Sequence, residues 1–222
     1  GYHLTVGDER IGVVARDGAG LAYGFATVAR LVRQFGKRLP CLHIEDYPEF
    51  AHRGVMLDIS RDKVPTMETL FGLVDMLSEW KVNEFQLYTE HTFAYDRHRA
   101  VWKDASPMTG EEILSLDAYC RDRNVELVPN QNSFGHMSRW LEKKPYNDLA
   151  EAPRGTKMPW AKLPPFTLDP LDKRSIALIG ELYAELLPHF SSRKINVGCD
   201  ETWDLGQGKS SAACKKLGVG RV

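Results

Sequence analysis

Gly54-Val55-Met56-Leu57-Asp58-Ile59 is an almost unbroken apolar run of strand length. A strand buried on both faces reads this way, and such strands belong to parallel sheets covered by helices. Helical periodicity follows. Thr66, after Pro65, reads as an N-cap, and Met67, Leu70, Val74 and Leu77 mark one face. The strand–helix pair then repeats. Phe85-Gln86-Leu87-Tyr88-Thr89 is a second strand, and Thr109-Gly110-Glu111-Glu112 matches a capping box before a helix with Ile113, Leu116 and Cys120 on one side. Val125-Glu126-Leu127-Val128 is a third strand, stopped at Pro129. Asp169 and Pro170 read as N-cap and first residue of another helix, with Ile176, Ile179, Tyr183 and Leu186 as its stripe. Ile195-Asn196-Val197 is a fourth, short strand, and a last helix is expected over residues 211–217. A long loop spans residues 90–108, and residues 143–165, rich in Pro and Lys, read as irregular.

Four strand–helix units in succession predict a parallel sheet with right-handed crossovers. A doubly wound sheet and a barrel both begin this way. No GxGxxG or GxxxxGK[ST] follows any strand, which argues against nucleotide binding. Each strand instead leads into polar or aromatic residues, as on the top face of a barrel. A whole barrel takes roughly 250 residues. Residues 49–222 therefore read as the first half of a (β/α)8 TIM-type barrel, α/β in class. Either the chain is a truncated piece or the half-barrels of two chains pair as a homodimer. Residues 1–48 differ: a β-β-α-β pattern ends in Asp46-Tyr47-Pro48-Glu49, as expected of the end of a small α+β domain. Its helix, over residues 21–35, has Leu21, Phe25, Val28, Leu31, Val32 and Phe35 at helical spacing, and residues 39–44 form its last strand.

Composition bounds the function. Hydrophobic residues make up 43% and charged residues 27% of the 222, with a formal net charge of −1. That is an ordinary globular balance, and it points to neither nucleic acid nor an anionic membrane as partner. No apolar run approaches the ~20 residues of a membrane span. The first residues carry no basic segment followed by an apolar one, so no signal peptide is read there, and the compartment stays open. Cys41, Cys120, Cys199 and Cys214 are widely spaced and read as small packing residues. No HExxH or comparable spacing calls for a metal, and no cofactor is expected.

The fourth strand runs into chemistry: Ile195-Asn196-Val197-Gly198-Cys199-Asp200-Glu201-Thr202-Trp203. Adjacent carboxylates repel, so in a partly dry cleft one tends to stay protonated while the other ionises. The first can donate a proton at neutral pH and the second can orient or stabilise a substrate group. A bare Asp-Glu pair is most often a solvated loop. Here Gly198 allows a turn or close approach, and Trp203 offers a flat face of the kind that stacks on a sugar.

These residues resemble glycoside hydrolase family 20, the β-N-acetylhexosaminidases. His52-Arg53-Gly54-Val55-Met56-Leu57-Asp58-Ile59-Ser60-Arg61 is similar to the family's first barrel strand. Gly198-Cys199-Asp200-Glu201 is similar to its Gly-Gly-Asp-Glu signature, and Gly135-His136 to the Gly-His after its third strand. The resemblance implies removal of terminal β-linked N-acetylhexosamine from a glycan by a retaining, substrate-assisted route through an oxazolinium. By that analogy Glu201 is the acid/base, Asp200 holds the acetamido N–H, and Arg53 contacts sugar hydroxyls. Trp203 would line the substrate, and a Glu90–His136–Glu201 network would tune the proton donor. Two positions depart from the family: Glu90-His91 stands where it usually has Asp-Asp, and Asn132 where it has Asp four residues before the histidine. They keep two alternatives open, a non-catalytic amino-sugar-binding protein and a barrel glycosidase for a non-acetamido sugar.

Overall fold

The computed structural model describes residues 1–218, so the last four residues of the 49–222 segment lie outside it. The chain begins with β1 (Tyr2–Val6), β2 (Ile11–Ala15), α1 (Gly18–Phe35) and β3 (Leu42–Asp46). β1 is the central strand, antiparallel to both neighbours in the order β2-β1-β3. Its alternation sends Tyr2, Leu4 and Val6 inward, where they pack with Tyr23 of α1. Asp17 caps α1, accepting from Gly20 N at 2.7 Å. β3 starts two residues beyond Pro40, which has no N–H for the ladder, and not at Leu39.

The face that α1 buries differs from the expected stripe. Tyr23 is buried, and Val28 and Leu31 pack against the cluster it forms with Tyr2, Leu4 and Val6, while Leu21, Phe25, Val32 and Phe35 are exposed. Apolar residues lie on two sides of this helix, so periodicity alone does not choose between them. The small Gly20 and Gly24, both buried, let the Tyr23 side come close to its neighbours.

Next come β4 (Gly54–Asp58), α2 (Met67–Glu79), β5 (Glu84–Thr89), a short α3 (Arg99–Trp102), α4 (Gly110–Arg121) and β6 (Glu126–Gln131). After β6 follow α5 (Ser138–Leu141), α6 (Lys144–Asn147), a hairpin of β7 (Thr156–Lys157) and β8 (Lys162–Leu163), α7 (Lys173–Leu186) and α8 (Ser211–Leu217). The segment read as irregular thus holds a helical turn and a hairpin. Thr66 caps α2, and Thr109 and Glu112 make reciprocal capping bonds before α4.

The order of the second sheet is β4-β5-β6. Its strands run parallel: Asn83 N donates to Arg53 O near the starts of β4 and β5, and Ile59 N donates to Tyr88 O near their ends. β6 runs through Pro129 to Gln131 instead of stopping there. Proline lacks only the donor, and the Pro129 carbonyl still accepts from Asn196 N at 2.9 Å. The fourth strand is reduced to a parallel bridge between Asn130 and Asn196, extended by Gln131 N to Asn196 O and Ser133 N to Gly198 O.

α7 begins later than expected. Asp172, not Asp169, is its N-cap and accepts from Arg174 N, while Asp169 turns the preceding chain by accepting from Leu171 N. Its buried side carries Ser175, Leu178, Leu182 and Leu186, and Ile176 is exposed.

The chain resolves into two compact units whose boundary cuts β4, β5, β6 and α4. Gly1–Val55, Thr66–Phe85 and Leu116–Leu127 form one; Met56–Pro65, Gln86–Ser115 and the chain from Val128 form the other. Arg53 belongs to the first and every carboxylate considered below to the second.

Candidate active site

β4 ends at Asp58, whose Oδ1 accepts from Ser60 N at 2.8 Å and Arg61 N at 3.1 Å. This local turn presents Arg61. Its Nη1 lies 3.0 Å from Asp58 Oδ2, its Nη2 donates to the Tyr88 hydroxyl at 3.1 Å, and its guanidinium sits 4.9 Å above the Tyr88 ring. About half of the Arg61 side chain stays open to solvent.

Glu90 follows β5 and is pinned by its backbone. Its N–H donates to Ser60 Oγ at 2.7 Å, and its carbonyl accepts from Trp140 Nε1 at 2.7 Å and Gln131 Nε2 at 3.1 Å. Trp140 and Gln131 are fully buried, so these anchors are stiff. The nearly buried Glu90 carboxylate accepts from the Tyr88 hydroxyl at 2.9 Å. Burial and the Glu90 charge raise the Tyr88 pKa well above the ordinary phenol value, so Tyr88 stays a donor.

His136 sits beyond β6 with φ of 57°, wedged edge-on against Phe166 (4.9 Å) and Tyr88 (6.3 Å). Nε2 is 3.0 Å from Glu201 Oε2 and 3.9 Å from Asp200 Oδ2; Nδ1 is 3.5 Å from Glu90 Oε1 and 3.3 Å from Arg61 Nη2. A guanidinium cannot accept, so Nδ1 either accepts from Arg61 or, protonated, points to Glu90. The His136 pKa is raised, first by its hydrogen bond to Glu90 and then by the Glu90 and Asp200 charges, against burial and Arg61. When His136 is protonated, Nδ1–H points to Glu90 and Nε2–H donates to Glu201.

The carboxylate loop is held by close backbone contact. A Cβ on Gly135 would stand 2.3 Å from the Asp200 carbonyl oxygen, and one on Gly198 would stand 2.5 Å from Asn132 Oδ1. Gly198 (φ 49°) and Glu201 (φ 50°) are both left-handed, and Trp203 N closes back on Glu201 O at 2.8 Å. Both carboxylates remain more than half exposed.

Of the residues singled out in the sequence, Glu90, His136, Asp200 and Glu201 come together, and Trp203 follows on the same loop. Asn132 is buried beneath Gly198, its Nδ2 reaching Thr89 O at 3.3 Å; its side chain serves the loop. Arg53 is a correction. It precedes β4, and its guanidinium donates to the carbonyls of Lys81, Phe50 and Ala51 and to the Tyr23 hydroxyl. Each of its three guanidinium nitrogens donates within the first unit. The arginine that meets Glu90 and His136 is Arg61, past the C-terminal end of β4, the end where barrel sites form. That rule was the available signal for Arg61. Nothing in the sequence pattern marked Asp58 or Tyr88.

His136, Asp200 and Glu201 also place ligand atoms within 4.8 Å of one another, a spacing that could hold a metal ion.

Residues 50–218 match the model of the glycosyl hydrolase family 20 catalytic domain, and residues 1–47 match the family's domain 2. The chain belongs to glycosyl hydrolase family 20. Among curated relatives, lacto-N-biosidase of Bifidobacterium bifidum is 25% identical over 90% of this chain and 17% of that protein. Hexosaminidase D of Homo sapiens is 31% identical over 73% of this chain and 32% of its own length. The crystal structure of chitobiase from Flavobacterium johnsoniae superposes on 99% of this chain and 35% of its own, with a TM-score of 0.82 and 25% identity. The chain thus spans well under half the length of these family members.

Proposed function

We propose that the protein containing this chain is a retaining, substrate-assisted β-N-acetylhexosaminidase, with residues 49–222 as the first half of its barrel and residues 1–48 as the end of an accessory domain. One observation carries the reading: Glu201, on the loop after the Asn196 bridge, has its carboxylate bonded to a histidine that a buried glutamate holds from behind. In this reading the oxygen of the sugar's 2-acetamido group attacks its own anomeric carbon. Glu201 gives its proton to the departing glycosidic oxygen, leaving an oxazolinium. Asp200 accepts the acetamido N–H and balances the positive charge. Glu201, now a base, takes a proton from water as that water opens the ring, and the anomeric configuration is retained.

The remaining groups act around that step. Glu90 and His136 are positioning residues, fixing the carboxyl and offering it a path for charge. Arg61 takes the role first read for Arg53, because its half-open planar fork suits paired sugar hydroxyls. Trp203 lines the substrate.

The test uses the whole protein, an aryl N-acetyl-β-glucosaminide, its galacto epimer and a natural disaccharide. Glu201→Gln should cost roughly 10²–10⁴ in kcat/KM on the disaccharide, the scale of general acid–base catalysis. Equal turnover by wild type and variant rejects Glu201 as the acid. Calorimetric binding of an amino sugar without hydrolysis makes the protein a binder. Hydrolysis that a thiazoline mimic of the oxazolinium fails to inhibit points to a non-acetamido glycosidase.

A further inference from the structure

We infer that the cavity walled by His91, Arg139 and Lys143 binds an oxyanion: the carboxylate or sulfate of an acidic sugar, or a free anion of the same chemistry. The cavity lies wholly within the second unit and measures about 480 Å³. It opens between the turns that follow β4 and β5, the chain after α3, and the end of α5. Pockets of that size take small organic ligands.

The polar floor of the cavity has one group left over. Ser60 Oγ accepts from Glu90 N at 2.7 Å and bonds to Thr92 Oγ1 at 2.8 Å, so both hydroxyls are engaged. His91 is 6% exposed, and its Nδ1 is buried without a hydrogen-bond partner. Buried polar atoms are nearly always paired, because leaving one unpaired costs its hydration. A neutral imidazole carries one N–H, which an anion can accept from.

Charge decides what the cavity holds. Lys63, Arg139 and Lys143 line it, and so do Asp62, Asp104 and Glu142. Among the described residues, none of these six side chains has an ion-pair or hydrogen-bond partner, so their charges are open to a ligand. The acids do not converge: among the described residues, only His136, Asp200 and Glu201 gather closely enough to hold a metal ion. The bases do converge, on His91. Burial lowers the His91 pKa first, and Arg139 and Lys143 lower it further against the pull of Glu90; Asp62, Asp104 and Glu142 have no part in the shift. The buried ring therefore sits in the field of two cations. The planar fork of Arg139 matches two oxygens of a carboxylate or sulfate, and Lys143 adds a point charge beside it.

Calorimetry on the whole protein at fixed ionic strength tests the site with three probes: inorganic sulfate, glucuronate, and glucose as the neutral match. Sulfate and glucuronate should bind, and glucose should not. Tighter binding of glucuronate makes an acidic sugar the ligand, and tighter binding of sulfate makes it a free anion. Arg139→Gln and Lys143→Gln should each weaken binding roughly tenfold, the effect of one charge-assisted hydrogen bond. Neither side chain is buried, so both variants should fold. Glu201→Gln should bind both anions as the wild type does, which separates this site from the catalytic reading. Bound sulfate should also raise the His91 midpoint in an NMR titration, since a nearby anion favours the imidazolium. The site is overturned if neither anion binds saturably, if glucose binds equally well, or if the affinities ignore both substitutions.

Discussion

Gly135→Ala should disable the proposed hydrolysis through a single methyl group. The added Cβ would sit 2.3 Å from the Asp200 carbonyl oxygen, whereas real Cβ contacts essentially never fall below 3.0 Å. The difference, 3.0 − 2.3, is 0.7 Å of enforced movement, and the clashing atom is backbone that cannot rotate away. Asp200 and Glu201 must therefore shift with it. The bond between His136 Nε2 and Glu201 Oε2 is 3.0 Å, so a shift of that size along it breaks it. A misplacement near 1 Å costs about 10²-fold in rate, so a loss of roughly 10- to 100-fold in kcat/KM is expected. Overpacking costs about 1–3 kcal/mol, small enough beside a typical folding stability of about 5–15 kcal/mol to leave the variant folded. The assay is kcat/KM on the natural disaccharide beside urea unfolding. Gly180→Ala is the control: apart from its own helix backbone, nothing lies within 4 Å of its Cβ position, so activity should hold and stability rise by about 0.5–1 kcal/mol. A folded Gly135→Ala enzyme with wild-type kcat/KM refutes the close packing of Gly135 on the carboxylate loop.

The two arginines should separate function from folding. Arg61→Ala should reduce kcat/KM with little change in urea midpoint. Arg53→Ala should lose about 2 kcal/mol of stability, the scale of charge-assisted bonds to carbonyls, and keep its kcat/KM once folded; the opposite pattern would return the binding role to Arg53. The pH dependence follows His136. Its folded pKa lies above the ordinary 6.5, so its contribution to stability is complete below about 6.5 and fades as pH rises through the higher folded value. An NMR titration should place the His136 midpoint above 6.5 and Glu90→Gln should bring it down, since the Glu90 bond is the largest cause. A midpoint that ignores Glu90→Gln would show that the bond is not made in solution.

Strand and helix types were legible residue by residue because they depend on local patterning. A β-β-α-β pattern marked the first 48 residues, a continuous apolar run marked β4, and Thr66 and the Thr109–Glu112 box marked helix starts. The Asp200–Glu201 pair was legible for the same reason, as chemistry written in adjacent residues, and the resemblance supplied its role.

What the tertiary structure alone decided concerns faces, ends and depth. α1 has apolar residues on two sides, and only packing selects the Tyr23 side. β6 continues through Pro129 because a neighbouring segment uses the proline's carbonyl, which no local rule reveals. Arg53 and Arg61 flank the same five-residue strand and look equally suited to a sugar. A strand has two ends with different surroundings, and hydrogen bonds formed at long range put Arg53 among carbonyls and Arg61 beside Glu90 and His136.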